Sequence, residues 1–272
     1  MRASKTTPLG RPFLKWAGGK RQLIEHLLRR APRTYSRFFE PFVDGGALFF
    51  ALEPKHAVLC DVNQRLIRTY QGVRDDVERV IALLREYPHD PEFFYALRDQ
   101  DIDRRSDAEV AAWFIYLNKT GFNGLYRVNR ENRFNVPFGR YARPRICDPD
   151  TLRACSRALR GAKLLNLDFE AAVKPARRGD FVYFDPPYVP LSATSSFTSY
   201  TSIGFDFAAQ TRLRDTALEL KRWGVNVLLS NSSAPIVLDL YKKNFKLREV
   251  PALRPVNSKA TKRGAVIELL IS

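Results

Sequence analysis

Apolar runs that end in an acidic residue recur along this chain, and they predict the strands of a buried sheet. FFEPF at 38–42 is followed by a glycine pair and then by an apolar stretch of helical length. HAVLCD at 56–61 is a second apolar run, and Asp61 ends it. The order strand, glycine turn, helix, strand and acid is typical of the nucleotide-binding half of a doubly wound α/β sheet.

Later segments extend the same layout. We predict a helix from about Asn63 to Glu86, and a second apolar helix after Ser106, where Glu109 completes a capping box. After Gly121 the chain becomes polar and rich in amides, which predicts a loop and a hairpin. The other predicted elements are strands at 162–170, 181–184 and within WGVNVLLSNSS at 223–233, a helix from about Ala208 to Arg222, and a closing antiparallel hairpin of FKLREVPALRP with GAVIELLIS.

The charge balance is strongly basic and adds a partner to this picture. The 272 residues include 32 Arg and 13 Lys, and the net charge is +16. Arginine forms bidentate contacts with phosphate and guanine, so the excess indicates a polyanion such as nucleic acid. A basic bias of the whole proteome is the alternative. From Lys119 to Arg145, however, seven basic residues stand against the single acid Glu131, and this clustering favours the nucleic-acid partner.

Several classes of protein are disfavoured by what the sequence lacks. It has no run of 18 apolar residues, so we expect no membrane span. Its first 16 residues have no apolar signal-peptide core. Three cysteines without paired spacing and three scattered histidines indicate a reduced, cytoplasmic protein without a metal site. The length suits one large domain, or one domain with an insertion.

The segment FVYFDPPYVP at 181–190 carries the most specific chemistry. An apolar strand ends in Asp185, and two prolines remove two backbone donors and stiffen the turn. The carboxylate of Asp185 and the carbonyl of Pro186 offer two acceptors for the hydrogens of a planar amine such as adenine N6, whose delocalised lone pair makes it a poor nucleophile. Tyr188 offers an aromatic face for a base. A purely structural turn after a strand is the alternative.

Two glycine pairs suggest a cofactor site, although neither is specific alone. Gly45 and Gly46 lack the G-x-G-x-x-G pattern, which disfavours a dinucleotide enzyme, and they also suit a plain tight turn. FLKWAGGK at 13–20 adds a second pair beside Trp16 and Lys20. That segment could close over a cofactor with an aromatic wall, or it could be an ordinary N-terminal loop.

Together with further matching stretches, these segments closely resemble the DNA adenine N6-methyltransferase (Dam) family, in the order in which the cofactor motif precedes the recognition insertion. The resemblance runs from about residue 12 to 271. It implies S-adenosylmethionine as methyl donor and adenine in double-stranded DNA as acceptor. The matching stretches are FLKWAGGK, FEPFVDGGALFF, DVN at 61–63, LNKTGFNGLYRVN, FNVPFGRY, DPPYVPLSATSSFTSY and TKRGAVIELL.

The fold that this resemblance implies is α/β. It is a Rossmann-like S-adenosylmethionine-dependent methyltransferase sheet with a closing antiparallel hairpin and an inserted, mostly helical DNA-recognition domain. We expect residues 1–62 and 149–272 to form the catalytic, cofactor-binding domain. Residues 63–148 would then form the recognition domain with its base-reading hairpin.

The resemblance also implies site residues, position by position, and no metal. The cofactor-binding positions are Trp16, Lys20, Glu40, Pro41, Gly45, Gly46, Asp61 and Asp185. The catalytic turn is Asp185, Pro186, Pro187 and Tyr188. The DNA-contacting positions are Lys15, Phe122, Asn123, Leu125, Arg127, Pro137 and Tyr141. The chain departs from the family at Asp44, where glycine is usual, and an acid there could crowd the methionine end of the cofactor or sit beside its ammonium.

The function implied is site-specific methylation of adenine, with GATC as the target. The adenine would be flipped out of the duplex, and Phe122 would fill the gap. We expect a monomer at the nucleoid, with or without a cognate restriction endonuclease. The alternatives are a methyltransferase for an RNA base or a protein glutamine, a non-catalytic DNA-binding relative and, more distantly, a dinucleotide oxidoreductase. The basic segment with FNGLYR argues against an RNA or glutamine acceptor.

Overall fold

The computed structural model describes residues 11–16, 20, 23–189, 205–253 and 265–272. Contacts between residues divide the chain into two compact units. The first comprises Met1–Lys20, Asp44–Glu53 and Asn63–Leu164, and the second comprises Arg21–Val43, Pro54–Val62 and Leu165–Ser272. The predicted recognition region, 63–148, lies within the first unit, and its role stays a prediction.

A seven-stranded sheet contains all the described strands, and six of them belong to the second unit. The strands are β1 (Phe38–Glu40), β2 (Ala57–Cys60), β3 (Ala162–Leu165), β4 (Phe181–Phe184), β5 (Asn226–Ser232), β6 (Leu247–Leu253) and β7 (Ala265–Ile271). They run in the order β3-β2-β1-β4-β5-β7-β6. Strands β2, β1, β4 and β5 are mutually parallel, and β7 pairs antiparallel with both β5 and β6. The predicted α/β class and its closing antiparallel hairpin are therefore confirmed.

The helices of the second unit bury one face of this sheet. Alternate residues of the central strands, Val182 in β4 and Leu229 in β5, pack in one cluster with Leu213 and with Val237. Such alternation follows from the two-residue period of a strand. The helices are α1 (Ile24–Leu28), α8 (Phe169–Val173), α9 (Phe207–Arg222) and α10 (Pro235–Tyr241).

The first unit is helical and is built around one largely buried helix. That helix begins with the predicted capping box of Ser106 and Glu109, and eleven of its fourteen residues are buried. Gly72 of a neighbouring helix lies so close that a Cβ there would come within 2.2 Å of the Asp107 carbonyl oxygen. The helices are α2 (Ala47–Leu52), α3 (Gln64–Asp75), α4 (Val77–Glu86), α5 (Pro91–Arg98), α6 (Asp107–Thr120) and α7 (Pro149–Leu159).

Three predicted elements have different bounds in the structure. The helix expected from Asn63 to Glu86 is two helices, because Asp76 leaves the helical conformation and caps α4 through the Arg79 amide. The strand expected at 38–42 ends at Glu40, since Pro41 cannot donate a ladder hydrogen bond. The strand expected at 162–170 ends at Leu165, and residues 169–173 form α8 instead.

The basic segment after α6 is only partly a hairpin. Two isolated antiparallel bridges join Gly121 to Phe138 and Val128 to Phe134, with no continuous ladder between them. A short 3-10 turn spans Phe122–Gly124. Separate backbone hydrogen bonds join the two sides of the segment, such as the bond from the Asn135 amide to the Arg127 carbonyl at 3.0 Å.

The described residues include neither a membrane-spanning helix nor a metal-binding cluster. No helix there is long and apolar enough to cross a membrane. No cluster of three or more His, Cys, Asp or Glu residues there could hold a metal ion.

The close approach at Gly72 generates a stability prediction. Gly72→Ala should destabilise the protein by about 1–3 kcal/mol through overpacking, although alanine is the better helix former by about 1 kcal/mol. Gln71→Ala, at a half-buried position of the same helix, is the matched control and should leave the midpoint of urea unfolding nearly unchanged. Equal stability of the Gly72→Ala variant and the wild type would show that α3 and α6 can separate at little cost.

Candidate active site

Three acidic residues stand at the carboxyl ends of adjacent parallel strands in the second unit. Glu40 is the last residue of β1, Asp61 follows β2, and Asp185 follows β4. The first two are buried and Asp185 is half-buried. In open α/β sheets, ligands bind beyond these strand ends, where the strand order reverses. The structure thus brings together, within one unit, the acids predicted from separate sequence motifs.

Asp61 is held through its backbone. Its amide donates to the carbonyl of Leu165 at 3.2 Å, and its carbonyl accepts from the side chain of Asn166 at 2.9 Å. The neighbouring Cys60 donates its thiol to the carbonyl of Leu167, and burial raises the pKa of Cys60 to about 11. Cys60 is therefore a neutral thiol at physiological pH and acts as core rather than as a nucleophile.

The turn after β4 is fixed by buried polar side chains. The side-chain amide of Gln210 donates to the carbonyl of Pro187 at 3.1 Å, and the hydroxyl of Ser232 donates to the carbonyl of Val189 at 2.6 Å. The side chain of Asn231, next to Ser232, connects these two residues by donating to the side-chain oxygen of Gln210 at 3.1 Å. Among the described residues, no donor reaches the carbonyl of Pro186, which lies between Asp185 and these fixed carbonyls.

Asp185 is the acceptor at the end of a short chain of hydroxyls. The hydroxyl of Ser230 donates to Oδ1 of Asp185 at 2.7 Å, and the phenol oxygen of Tyr183 lies 3.0 Å from the same hydroxyl. Parallel pairing of Phe184 with Leu229 puts Asp185 and Ser230 side by side. Burial, with the nearby charge of Asp185, raises the pKa of Tyr183 well above its usual value, so its phenol stays protonated.

The aromatic residue of the turn is anchored at its far end. The phenol of Tyr188 donates to a carboxylate oxygen of Glu268, in β7, at 2.6 Å. Burial and the charges of neighbouring groups raise the pKa of Tyr188 well above its usual value. Tyr188 is therefore a neutral donor, and its ring is tied to the antiparallel strand of the sheet.

In the first unit, the glycine loop is closely packed on α3. Gly46 has φ +65°, and a Cβ there would lie 2.8 Å from the phenol oxygen of Tyr70. That phenol donates to the carbonyl of Asp44 at 3.0 Å. Asp44 itself has φ +47°, a left-handed conformation that glycine adopts without strain. The backbone conformation at this position thus explains why the resembled family usually has glycine there.

Trp16 belongs to an aromatic stack of the first unit. Its ring lies parallel to those of Phe114 and Tyr126, at 6.3 Å from each ring centroid. A Cβ on Gly45 would lie 3.2 Å from the Cβ of Trp16, so two predicted cofactor residues of this unit are neighbours. Lys20 is buried. The glycine pair at 18–19 lies outside the described residues, as do the matched residues 190–200 and 261–264.

Several predicted DNA-contacting residues converge on the start of the basic segment. The side chain of Asn118, in α6, accepts from the Lys15 amide at 2.8 Å and donates to the carbonyls of Lys15 and Gly124. The Lys15 ammonium lies 4.0 Å from the ring centroid of Tyr141. Gly124 has φ +64°, and a Cβ there would lie 2.8 Å from the Cβ of Lys15. One buried amide therefore organises this cluster.

Two residues of the 3-10 turn, Phe122 and Asn123, face outward. Phe122 is 48% exposed, and its amide donates to the carbonyl of Pro137 at 2.9 Å. Asn123, with φ +55°, and Pro137 are also exposed, whereas Leu125 is half-buried. Among the predicted DNA-contacting residues, Lys15 thus contacts Tyr141 and Phe122 contacts Pro137, and the Leu125 amide donates to the Phe122 carbonyl at 3.2 Å.

Arg127 is exposed but held in place. Its Nε donates to the side-chain oxygen of Asn135 at 2.7 Å, and one terminal nitrogen donates to the Asn135 carbonyl at 3.1 Å. A guanidinium has five donor hydrogens, so three remain on the two terminal nitrogens, at the end that can grip a base edge. The loop beyond is docked by Arg65, which donates to the carbonyl of Asn132 at 2.6 Å.

Sequence reasoning missed the supporting polar residues. Three of those in the second unit, Ser230, Asn231 and Ser232, come from a recognisable signal: LLSNSS, where an apolar strand turns polar at its carboxyl end. Asn118 also stands out as an amide within an otherwise apolar helix. The remaining ones carry no local signal. The missed residues are Asn118, Asn135, Asn166, Gln210, Ser230, Asn231, Ser232 and Glu268.

The sheet order, the acids at the strand ends and the Asp-Pro-Pro-Tyr turn are those of an S-adenosylmethionine-dependent methyltransferase. Residues 16–256 match the sequence model of the D12 class N6 adenine-specific DNA methyltransferases. The chain belongs to this family.

Curated relatives are similar over nearly their whole length. The Type II methyltransferase M1.LlaDCHI of Lactococcus lactis subsp. cremoris is 47% identical, over 96% of this chain and 95% of the relative. The Type II methyltransferase M.MjaIII of Methanocaldococcus jannaschii is 39% identical, over 96% and 98%. A DNA adenine methylase of Haemophilus influenzae is 34% identical, over 96% and 92%. The protein is a DNA methyltransferase, and a dinucleotide oxidoreductase is excluded.

The methyl donor of this family is S-adenosylmethionine, and the residues present fit it. Buried carboxylates at the ends of β1 and β2 supply the acceptors that ribose hydroxyls and an ammonium group require. In the part of the chain that the structure describes, these acids do not belong to any cluster that could hold a metal ion.

The backbone at Asp44 generates a prediction about cofactor binding. Asp44→Gly should bind S-adenosylmethionine as tightly as the wild type or more tightly, because glycine adopts φ +47° without strain and removes a bulky acid. Calorimetric titration measures the affinity. Asp44→Val is the matched control: it also removes the charge, but it should cost about 1–3 kcal/mol of stability at this φ. A large loss of affinity in the glycine variant would instead identify the Asp44 carboxylate as a cofactor ligand.

Proposed function

We propose that this enzyme methylates the N6 amine of adenine within GATC in duplex DNA, after flipping the base out of the helix. The observation that carries the proposal is the turn at Asp185 and Pro186. It offers a carboxylate and a neighbouring carbonyl, while the carbonyls of Pro187 and Val189 are occupied by Gln210 and Ser232. Two adjacent acceptors of this kind suit an –NH₂ group with two hydrogens to donate.

The chemistry follows from how these acceptors act on nitrogen. S-adenosylmethionine supplies an electrophilic methyl group. Acceptance of the two N6 hydrogens by Asp185 and by the Pro186 carbonyl would favour a tetrahedral nitrogen, whose lone pair would form the new N–C bond while the bond between sulfur and the methyl group breaks and its electron pair stays on sulfur. N6 would then release one of its two hydrogens as a proton, by way of Asp185, to solvent. The same oxygens stabilise the positive charge that develops on N6. Tyr188 stacks on the adenine ring, Pro187 stiffens the turn, and together they orient the amine for an in-line reaction.

The proposed cofactor contacts follow the family resemblance, residue by residue. Asp61 accepts from the ribose hydroxyls, as the acid at the end of the second strand does in related sheets. Glu40 and Asp185 would lie near the ammonium end. The full proposed set is Trp16, Lys20, Glu40, Pro41, Gly45, Gly46, Asp61 and Asp185.

Base flipping is required because adenine N6 is inaccessible while the base is stacked. Phe122 is the proposed wedge, and two features support this: its exposed ring and the short turn that holds it. Asn123 and Tyr141 would contact the duplex beside it. Exposed arginines of the same segment, such as Arg140 and Arg143, are suited to the phosphates.

GATC is proposed from the residue types at the base-reading positions. Arg127 would grip guanine O6 and N7, and its fixed Nε leaves the terminal nitrogens for that contact. Leu125 and Pro137 would pack on a thymine methyl. Lys15 would read the first guanine from the other side.

The cellular context is also proposed rather than shown. We expect a monomer that acts on chromosomal DNA at the nucleoid. A cognate restriction endonuclease would suit the Type II methyltransferases among the relatives, whereas a solitary enzyme would suit the DNA adenine methylases.

Replacement of Asp185 tests the proposed chemistry. Asp185→Ala should lower the methylation rate at least about a hundredfold, because one of two acceptors at the reacting nitrogen is lost. DNA affinity should stay within about twofold, since this carboxylate contacts no phosphate. Methyl transfer and DNA binding are measured on the same unmethylated DNA.

Asp239→Ala is the matched control for the Asp185 variant. Asp239 is an exposed acid of α10 that pairs with Lys242 at the surface, so its loss should leave both quantities unchanged. Turnover of Asp185→Ala close to the wild-type value would remove this turn from the mechanism.

The target sequence is tested by single-molecule sequencing of DNA from an expressing, methylation-free host. We expect modified adenine in GATC. Arg127→Ala should cost roughly 1–3 kcal/mol of binding at this site and relax discrimination at one base pair. Methylated adenine in other motifs, with GATC unmodified, would refute the target and leave the enzyme class standing.

Arg143→Ala is the control that separates base reading from phosphate contact. Arg143 is exposed and forms no ion pair among the described residues. Its loss should weaken binding equally for all sequences and reduce the slope of log affinity against log salt by about 1. If Arg127→Ala behaved in the same way, Arg127 would be a phosphate contact.

A further inference from the structure

Two buried hydroxyls next to Asp185 have no role in the proposed mechanism. Ser230 and Tyr183 are almost fully buried, with 0% and 1% of their surface exposed. A buried hydroxyl without a partner costs about 1–3 kcal/mol, so natural cores tend to avoid serine and tyrosine pairs unless each is satisfied. Here each hydroxyl is satisfied by the other and by Asp185.

The direction of the hydrogen bonds follows from counting hydrogens. An ionised carboxylate only accepts, so the single hydroxyl hydrogen of Ser230 goes to Oδ1 of Asp185 at 2.7 Å. The phenol of Tyr183, 3.0 Å from the Ser230 oxygen, must then be the donor to it. The chain runs in one direction, from Tyr183 through Ser230 to Asp185.

We propose that Ser230 is a positioning residue that fixes the carboxylate of Asp185 for the substrate amine, and that Tyr183 acts through Ser230 by fixing its hydroxyl. This inference rests on the proposed role of Asp185. Without Ser230, Oδ1 of Asp185 loses the donor that holds it at 2.7 Å, and the carboxylate is fixed less firmly. Without Tyr183 the hydroxyl of Ser230 can turn away from the carboxylate. Small misplacements of a catalytic group are costly, reaching about a hundredfold for 1 Å.

Single-turnover methylation of unmethylated bacterial DNA, with enzyme in excess, isolates the chemical step from product release. Ser230→Ala should lower this rate constant about 10- to 100-fold. The affinities for S-adenosylmethionine and DNA should stay within about twofold. Ser230→Thr keeps a hydroxyl and should recover most of the rate.

Tyr183→Phe should lower the rate constant about 3- to 10-fold, because the hydroxyl of Ser230 loses the donor that orients it. The change removes one oxygen atom and leaves the volume of the side chain almost unchanged. In the Ser230→Ala background the same change should have no further effect, since Tyr183 has nothing left to orient. Such non-additivity is the sign of residues that act through one another. A purely structural role predicts losses that add.

Two matched variants control for the loss of a buried hydroxyl. Tyr241→Phe removes a buried phenol that has no hydrogen-bond partner among the described residues. Ser156→Ala removes a buried serine hydroxyl that donates to the carbonyl of Arg74. Neither should change the single-turnover rate.

The outcomes separate this inference from the proposed function. An inactive Asp185→Ala enzyme beside a Ser230→Ala enzyme within twofold of wild type overturns the inference alone. Additive losses in the double variant overturn the part assigned to Tyr183. An active Asp185→Ala enzyme overturns both. If Ser230→Ala fails to fold, the near-isosteric Tyr183→Phe variant tests the inference. An unchanged methylation rate in that variant would overturn the proposed role of the hydrogen bonds from Tyr183 through Ser230 to Asp185.

Discussion

The hydrogen bonds between the polar end of β5 and the turn after β4 are the constraint on which the site of the second unit depends. Parallel pairing puts Asp185 beside Ser230, and Ser232, the last residue of β5, donates to the carbonyl of Val189. A proline-rich turn cannot satisfy itself, because two of its residues lack a donor. The polar side chains supplied by β5 and by Gln210 replace the missing backbone bonds and make the turn rigid.

An analogous arrangement organises the first unit. Asn118, buried in an apolar helix, holds the backbone of Lys15 and the turn at Gly124 by three hydrogen bonds. Glycine is needed there, because a side chain would meet Lys15. In both units, buried amides and hydroxyls hold the residues proposed to touch ligand. Rigid support of this kind is what preorganisation requires.

The sequence predicted element types better than element ends. The helix expected over 63–86 was wrong at Asp76, because the helical period continues across a residue that leaves the helix to cap the next one. The strand expected over 162–170 was wrong beyond Leu165, because the apolar residues of that stretch are divided between a strand and the start of a short helix. Local sequence patterns do not show where tertiary packing favours the end of a helix or strand.

The sequence by itself determined the class of the protein: its α/β layout, the acids at the ends of its strands, the Asp-Pro-Pro-Tyr turn and its basic, amide-rich segment. These are local patterns, and each follows from residue type and spacing. Only the tertiary structure decided which residues support them. Glu268 is 80 residues from Tyr188, and Asn118 is 103 residues from Lys15. Strand order and register bring Glu268 to Tyr188, and close helix and turn packing brings Asn118 to Lys15, since hydrogen bonds between distant residues leave no periodic signal in the chain.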